Sequence, residues 1–240
     1  MDLGIDGRAA LVTAASKGLG FASARALAAD GAKVAITGRD RAALEGAAAR
    51  IGDELGAEVL AIAGDITDPT EPARAVAQTV ERFGSLDILV ANAGGPPPSR
   101  ALEIDDAQIN AAVNANLTTS VRLVQAALTH LVASGQGRIC LITSVSVVEP
   151  IPTLALSNLS RVGLWGWAKT AAADIAERRV TLNLACPGTH ATDRMKELGF
   201  TGRMGDPADF GNVVAFLCSA QAGFINGSRV VVDGGASQGL

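Results

Sequence analysis

The chain has 240 residues, 27 of them glycine, with 48% hydrophobic and only 3% aromatic side chains. That length fits one large domain or two small ones, and the small-residue composition suits an α/β fold whose helices press closely onto a sheet. A net charge of -4 offers no basic stripe for nucleic acid, no apolar run reaches membrane-spanning length, and Met1-Asp-Leu-Gly-Ile5 carries no signal-peptide pattern, so the expectation is a cytoplasmic protein engaging neither nucleic acid nor membrane.

The first element is Ala9-Ala10-Leu11-Val12, an apolar run with no charge to place in water, which predicts a strand buried on both faces of a parallel sheet. It leads through Ser16 and Lys17 to Gly18-Leu19-Gly20 and at once into the alanine-rich helix Phe21–Ala29. A strand, a small-residue turn and a helix N-terminus together make a phosphate site. The free N–H groups of the first helical turn point at the ligand, and the helix dipole favours its negative charge. Glycine lets the ligand approach the backbone and lets the helix pack near the strand. The full Gly-x-Gly-x-x-Gly spacing is not met, because Ala14 stands where a first glycine would help. A plain tight turn is therefore the alternative on these residues alone.

Ala32–Thr37 reads as the second strand, followed by helical spacing from Arg41 to Leu55 (Leu44, Ala48, Ile51, Leu55) and a third strand at Glu58–Ala63. Pro69 and Pro72 flank the start of a helix running to about Phe83, and Leu86–Ala91 is the fourth strand. A long helical pattern spans Ile104 to Val132, with Leu117, Val121, Val124 and Leu128 on one stripe. Gly137–Thr143 is the fifth strand, Leu154–Arg178 a helix, and Val180–Cys186 the sixth strand, closed by Pro187-Gly188. Pro207 opens a helix through Cys218, and Ser228–Asp233 is the last strand. Strands and helices alternate throughout, with crossovers long enough for right-handed βαβ units and no linker, repeat or charge block. The prediction is one doubly wound, Rossmann-like α/β domain over residues 1–240, with a parallel sheet of roughly seven strands and helices on both faces.

In such sheets a ligand lies outside the carboxyl ends of the strands, where strand order reverses. Those ends are Thr13 to Gly20, Thr37-Gly-Arg-Asp40, Gly64-Asp65-Ile66, Asn92 to Pro98, Thr143-Ser-Val-Ser146 and Pro187 to Thr192, nearly all glycine or small polar residues. Gathered on one edge they describe a long groove for a dinucleotide-sized ligand. Cys140, Cys186 and Cys218 are odd in number, far apart and in apolar contexts, which favours reduced core residues over a metal site or disulfides. A reactive thiol is the alternative for Cys186, just before Pro187-Gly188.

Asn92-Ala93-Gly94, Asn116, Ser144 after a strand, Asn183-Leu-Ala-Cys-Pro-Gly188 and Gly227-Ser-Arg-Val-Val-Val-Asp-Gly-Gly235 occur in sequence. With these motifs the chain resembles, nearly end to end, the short-chain dehydrogenase/reductase family, of the type that includes 3-oxoacyl-acyl-carrier-protein reductases. The resemblance implies a nicotinamide cofactor along the strand edge. It gives Thr13, Ser16, Gly18, Leu19 and Gly20 to the pyrophosphate side, and Asp65 and Ile66 to the adenine. Asn92, Ala93 and Gly94 back the ribose, and Pro187, Gly188 and Thr192 border the carboxamide. Asp65 also reads as a turn or cap residue before Thr67-Asp-Pro69. No acid ends the second strand. Arg39 there and Lys17 in the first loop favour a 2′-phosphate, hence NADP(H) in preference to NAD(H), unless Asp40 pairs with Arg39.

The resemblance also implies a reaction in which hydride moves between nicotinamide and a carbonyl carbon, assisted by an Asn, a Ser, a Tyr thirteen residues after the Ser, and a Lys four further on. Asn116 and Ser144 fit the first two. Thirteen residues past Ser144 stands Ser157, and four further on Arg161; the chain contains no tyrosine at all. Ser157 and Arg161 share a helix face, so the site is altered and not misaligned. A serine hydroxyl is a far weaker acid than a phenol near pKa ~10, and no second copy of the chain can lend one. Positioned general acids contribute about 10² to 10⁴ in rate, so the loss leaves room for weak hydride transfer with water or another acid.

His190 is one candidate acid, unless only its backbone faces the cofactor, and Ser146 either assists Ser144 or caps its loop. Arg161 can bind the cofactor ribose or stabilise an oxyanion. His130 reads as a solvated helix terminus, and Trp165 and Trp167 as packing or subunit-interface residues. Residues 189–205, with Met195, Leu198 and Phe200, are expected to form a lid, and Pro96-Pro97-Pro98 to stiffen the mouth. The resemblance further implies a homodimer or homotetramer, a small-molecule or acyl-thioester substrate and no metal. The readings are an NADP(H)-dependent reductase with a non-standard proton donor, a cofactor-binding protein without redox catalysis, or non-redox chemistry in the same pocket.

Overall fold

The computed structural model describes residues 2–197 and 199–238. Its centre is one parallel sheet of seven strands: β1 Ala9–Val12, β2 Lys33–Gly38, β3 Val59–Ala63, β4 Ile88–Ala91, β5 Arg138–Ile142, β6 Thr181–Pro187 and β7 Arg229–Val232. Their order across the sheet is β3-β2-β1-β4-β5-β6-β7. Strand order reverses between β1 and β4, which places a topological switch point at their carboxyl ends.

Period-two alternation decides what each face carries. Ala10, Val12, Ile88, Val90, Cys140 and Ile142 point to one side, where α1 Gly18–Ala29, α2 Arg41–Leu55 and α8 Pro207–Leu217 bury Leu27, Leu44, Ile51 and Phe210. Leu11, Leu89, Ile139, Leu141 and Leu184 point to the other. There α3 Glu71–Phe83, α5 Thr119–Ala133 and α6 Ala155–Ile175 bury Val76, Leu123, Leu131, Leu164 and Ile175. Each such side chain, fully buried, contributes roughly 1.5–3 kcal/mol. Close approach replaces bulk in the first layer: a Cβ on Gly211 of α8 would lie 2.4 Å from the Ala22 carbonyl oxygen of α1.

The single helix expected over Ile104–Val132 is divided. It begins at α4 Asp106–Val113, behind a capping box in which Asp105 accepts from the Gln108 N–H and Gln108 reaches back. A π-helical turn, Asn114–Thr118, then widens it before α5 begins. Apolar periodicity runs through such a turn almost unbroken, which is why the pattern reads as one helix. The helix expected to reach Arg178 ends as α6 at Ile175, followed by a 3₁₀ turn, Ala176–Arg178. A short helix that periodicity does not foretell, α7 Asp193–Glu197, lies within the expected lid. Leu198 lies outside the described residues.

Among the described residues no helix is long and apolar enough to cross a membrane. The three cysteines are buried free thiols. Burial pushes the Cys186 thiol up, and its sulfur lies 3.2 Å from the Thr143 hydroxyl, which suits packing better than reactivity.

Candidate active site

The site is built from the carboxyl ends of β1, β4, β5 and β6. At the switch point, β1 and β4 are joined by their own side chains. The Thr13 hydroxyl donates to the Asn92 carbonyl at 2.7 Å, and the Asn92 N–H donates back to it at 2.8 Å. The Asn92 amide donates to the Ala14 carbonyl at 3.1 Å, and the Ala14 N–H donates to the Thr37 hydroxyl at 3.3 Å. Thr13 and Asn92 thus spend their groups fixing the backbone of the groove. Ala14 is held at φ 48°, in the left-handed region that glycine favours. Gly20 packs against this knot: a Cβ there would meet the Ala14 oxygen at 2.5 Å and the Asn92 amide at 2.7 Å.

The first turn of α1 has neither a side-chain cap nor an acidic residue. The N–H groups of Gly18, Leu19 and Gly20 are therefore available to an anion. Gly18 adopts φ 62°, and Thr192 stands over it, 3.7 Å from where its Cβ would lie. Gly94 faces open space. A dinucleotide's pyrophosphate fits this uncapped helix end, with Ser16, Ala93, Pro187 and Gly188 along the same edge. Asp65 accepts from the Thr67 N–H at 3.0 Å and its hydroxyl at 2.8 Å, forming the turn before α3, with Ile66 buried behind it. Lys17 and Arg39 are exposed. Lys17 makes a loose ion pair with Glu197 at 3.8 Å. Asp40 caps α2, accepting from the Ala43 N–H at 3.0 Å, and no ion pair to Arg39 occurs among the described residues.

Farther along, Asn116 sits in the π turn, 2% exposed, donating to the Ala112 carbonyl at 3.3 Å. Among the described residues its side-chain oxygen is buried without a partner. Ser144 leaves β5 and caps a 3₁₀ turn, Val145–Val147, its hydroxyl accepting from the Ser146 N–H at 3.1 Å. So Ser144 is the capping residue, and the Ser146 hydroxyl is buried with no partner among the described residues. Ser157 and Arg161 project from the first turns of α6 and are both buried. The Arg161 Nε donates to the Ser157 hydroxyl at 3.2 Å and its Nη1 to the Ile142 carbonyl, at the end of β5, at 3.2 Å. Burial first, then the charge of Arg194, lower Arg161 to about 10.

The His190 ring is turned inward. It lies edge-on to Phe210, with centroids 5.3 Å apart, and its Nδ1 is 3.2 Å from the Gly188 carbonyl. At 4% exposure the imidazole is buried against Phe210. Trp165 and Trp167 are half-buried and pack against the core on the α6 side. Arg194 of α7 is the residue that motif reading misses. Its two Nη atoms donate to the Gly95 and Pro96 carbonyls at 3.1 and 3.0 Å, tying α7 to the proline wall. The available signal was the charged run Asp193-Arg-Met-Lys-Glu197 inside the expected lid.

A parallel sheet whose strand order reverses beside an uncapped helix N-terminus is the architecture of dinucleotide-binding proteins. Comparison with known proteins narrows that class. A family model described as enoyl-(acyl carrier protein) reductase matches residues 13–237. The 3-oxoacyl-[acyl-carrier-protein] reductase FabG of Escherichia coli (strain K12) is 34% identical over 246 residues, covering 97% of this chain and 98% of the relative. L-Sorbose reductase from Gluconobacter frateurii, solved with NADPH and L-sorbose, superposes with a TM-score of 0.94 at 28% identity, with full coverage of both chains. A 7α-hydroxysteroid dehydrogenase, solved with NADH and 7-oxo glycochenodeoxycholic acid, gives 0.93 at 28% identity, covering 100% of this chain and 98% of the other. The chain belongs to the short-chain dehydrogenase/reductase family.

Proposed function

We propose that the protein is an NADP(H)-dependent reductase that interconverts a carbonyl compound and its alcohol, with a serine hydroxyl in the place of the usual phenol. The observation that carries this reading is the Arg161–Ser157 hydrogen bond, which keeps a polarised hydroxyl at the reaction end of an otherwise intact groove. When bound, the nicotinamide supplies or removes the hydride. The cofactor's phosphates would rest on the first turn of α1, and Lys17 and Arg39 would receive a 2′-phosphate. The solved relatives named above carry NADPH in one case and NADH in the other, so the preference rests on those two side chains.

Because the Ser157 oxygen accepts from a guanidinium, its own proton is free to point at the substrate oxygen. Ser144 offers a second hydroxyl. Alkoxide formed as the carbonyl is reduced accepts these hydrogen bonds, and its proton arrives from water through the Ser157 hydroxyl. Arg161 remains protonated at neutral pH and works as a fixed positive charge, not as the acid. Asn116, with its unpartnered oxygen, would hold the water that completes this path. Residues 189–205 would act as the lid that excludes bulk water, and the protein would assemble as a homodimer or homotetramer.

Fluorescence titration with NADPH and NADH, followed by NADPH oxidation against a panel of ketones and 3-oxoacyl thioesters, tests the proposal. NADPH binding with turnover above buffer is expected. Binding without even single-turnover hydride transfer would instead favour a cofactor-binding protein without redox chemistry.

A further inference from the structure

Residues 189–205 are attached to the rest of the molecule in two different ways. Their base is pinned. The Ala191 N–H donates to the Gly205 carbonyl at 2.9 Å and the Gly205 N–H to the Thr189 carbonyl at 3.0 Å, so the segment leaves and rejoins the fold at one point. The buried His190 ring holds that point against Phe210 of α8. Beyond it the attachment is polar. No side chain of α7 is buried, and Phe200 is exposed. Lys17 and Glu197 make only the loose pair at 3.8 Å, with both side chains largely in water, and such pairs contribute little.

The remaining tie is Arg194. Its Nη1 donates to the Gly95 carbonyl at 3.1 Å and its Nη2 to the Pro96 carbonyl at 3.0 Å. Strand order shows what this reach crosses. The segment follows β6, Gly95 and Pro96 follow β4, and β5 lies between them. The guanidinium therefore spans about 9–10 Å of sheet edge, two strand spacings, over the end of β5 where Ser144 leaves the sheet. The far wall is prepared for it. Pro96 is buried and heads a run of three prolines with fixed φ, so its carbonyl is already ordered. Gly95 leaves the fork its room, since a Cβ there would lie 3.1 Å from Nη2. A segment pinned at its base and held elsewhere by two hydrogen bonds can open without unfolding its surroundings.

We infer that Arg194 is the latch of this lid, and that breaking its bonds to the Gly95 and Pro96 carbonyls is the step that lets coenzyme enter and leave. It is a positioning residue, acting through α7 and the loop after β4 and not on the reacting atoms. This rests on the nicotinamide reading of the groove and specifies how access to it is controlled.

The test measures NADPH exchange by stopped-flow fluorescence, with mixing for association and an excess of NADP⁺ as chase for dissociation. Arg194→Gln should speed dissociation at least about tenfold, as loss of one charge-assisted hydrogen bond implies. Association should rise by a similar factor, so that Kd moves less than either rate. Arg194→Lys keeps the charge but loses the planar fork, and should fall between the two. Lys196→Gln, on the same helix with no bond to either wall, should change neither rate. In protein without coenzyme, amide hydrogen exchange over residues 193–204 should be faster in Arg194→Gln than in the parent chain.

Unchanged rates in Arg194→Gln would overturn the inference. Faster dissociation with unchanged or slower association would overturn it too, because that guanidinium would then be holding the coenzyme itself. Should NADPH not bind the parent chain, the nicotinamide reading fails separately, and hydrogen exchange still decides. Faster exchange in the variant keeps the latch, and equal exchange removes it.

Discussion

The two halves of the groove differ in how their polar groups are used. At the β1–β4 half, Thr13, Asn92, Ala14 and Thr37 bond to one another, and Gly20 closes against them. At the β5–α6 half, the Asn116 oxygen and the Ser146 hydroxyl are buried without partners, and Arg161 has no counter-charge among the described residues. The first half is a finished scaffold that offers a ligand its backbone. The second keeps unspent bonding capacity. Buried polar groups are expensive to leave unmade, at about 1–3 kcal/mol each, so a fold retains them where a ligand or water completes the set.

The largest test of that contrast replaces the altered pair by the residues the family resemblance implies. Ser157→Tyr with Arg161→Lys adds a phenol and a cation that can lower its pKa. If the scaffold half is intact and only the acid is missing, ketone reduction should rise by about 10² to 10⁴. Steady-state kcat with NADPH measures it. A double variant that folds and binds NADPH but gains less than tenfold would show that the second half differs in more than its acid.

The scaffold half should respond in the opposite way, since Gly20 leaves no room for an added atom. Gly20→Val places a branched side chain where even a Cβ would lie 2.5 Å from the Ala14 oxygen. Overpacking of this kind costs about 1–3 kcal/mol, and it would lift α1 away from the proposed phosphate site. Urea unfolding should show that loss, and NADPH affinity should fall at least tenfold. Retained affinity would mean that the helix N-terminus is not the phosphate site.

Much of this division was legible in the sequence, for identifiable reasons. The inner strands announce themselves because a parallel strand buried on both faces is an apolar run, as in Ala9–Val12, and the half-buried edge strands Val59–Ala63 and Arg229–Val232 still carry enough apolar residues to be read. Ser157 and Arg161 could be placed on one helix face because a spacing of four is one turn. The π turn around Asn116 could not, since it changes backbone hydrogen bonding without breaking the apolar stripe. Nor could the inward turn of His190, which depends on Phe210 from a distant helix. Arg194 escaped for the same reason: its role comes from carbonyls almost a hundred residues earlier in the chain.

The smallest expected effect concerns Ala14, the one place where the scaffold half carries visible strain. A left-handed backbone costs a non-glycine residue roughly 1–2 kcal/mol, and Ala14 cannot relax because Asn92 and Thr37 hold its carbonyl and N–H. Ala14→Gly removes that cost. It also gives the unfolded chain more freedom, which takes back about 0.4–1 kcal/mol. The balance is a gain of between zero and about 1.6 kcal/mol, and each 1 kcal/mol is roughly 2–4 °C in Tm for a domain of this size. NADPH affinity should stay the same, because the bonds that shape the turn are made by backbone atoms that glycine retains. A lower Tm would mean that the Ala14 methyl contributes packing worth more than the strain it brings, and that this half of the groove tolerates its departure from glycine because it gains by it.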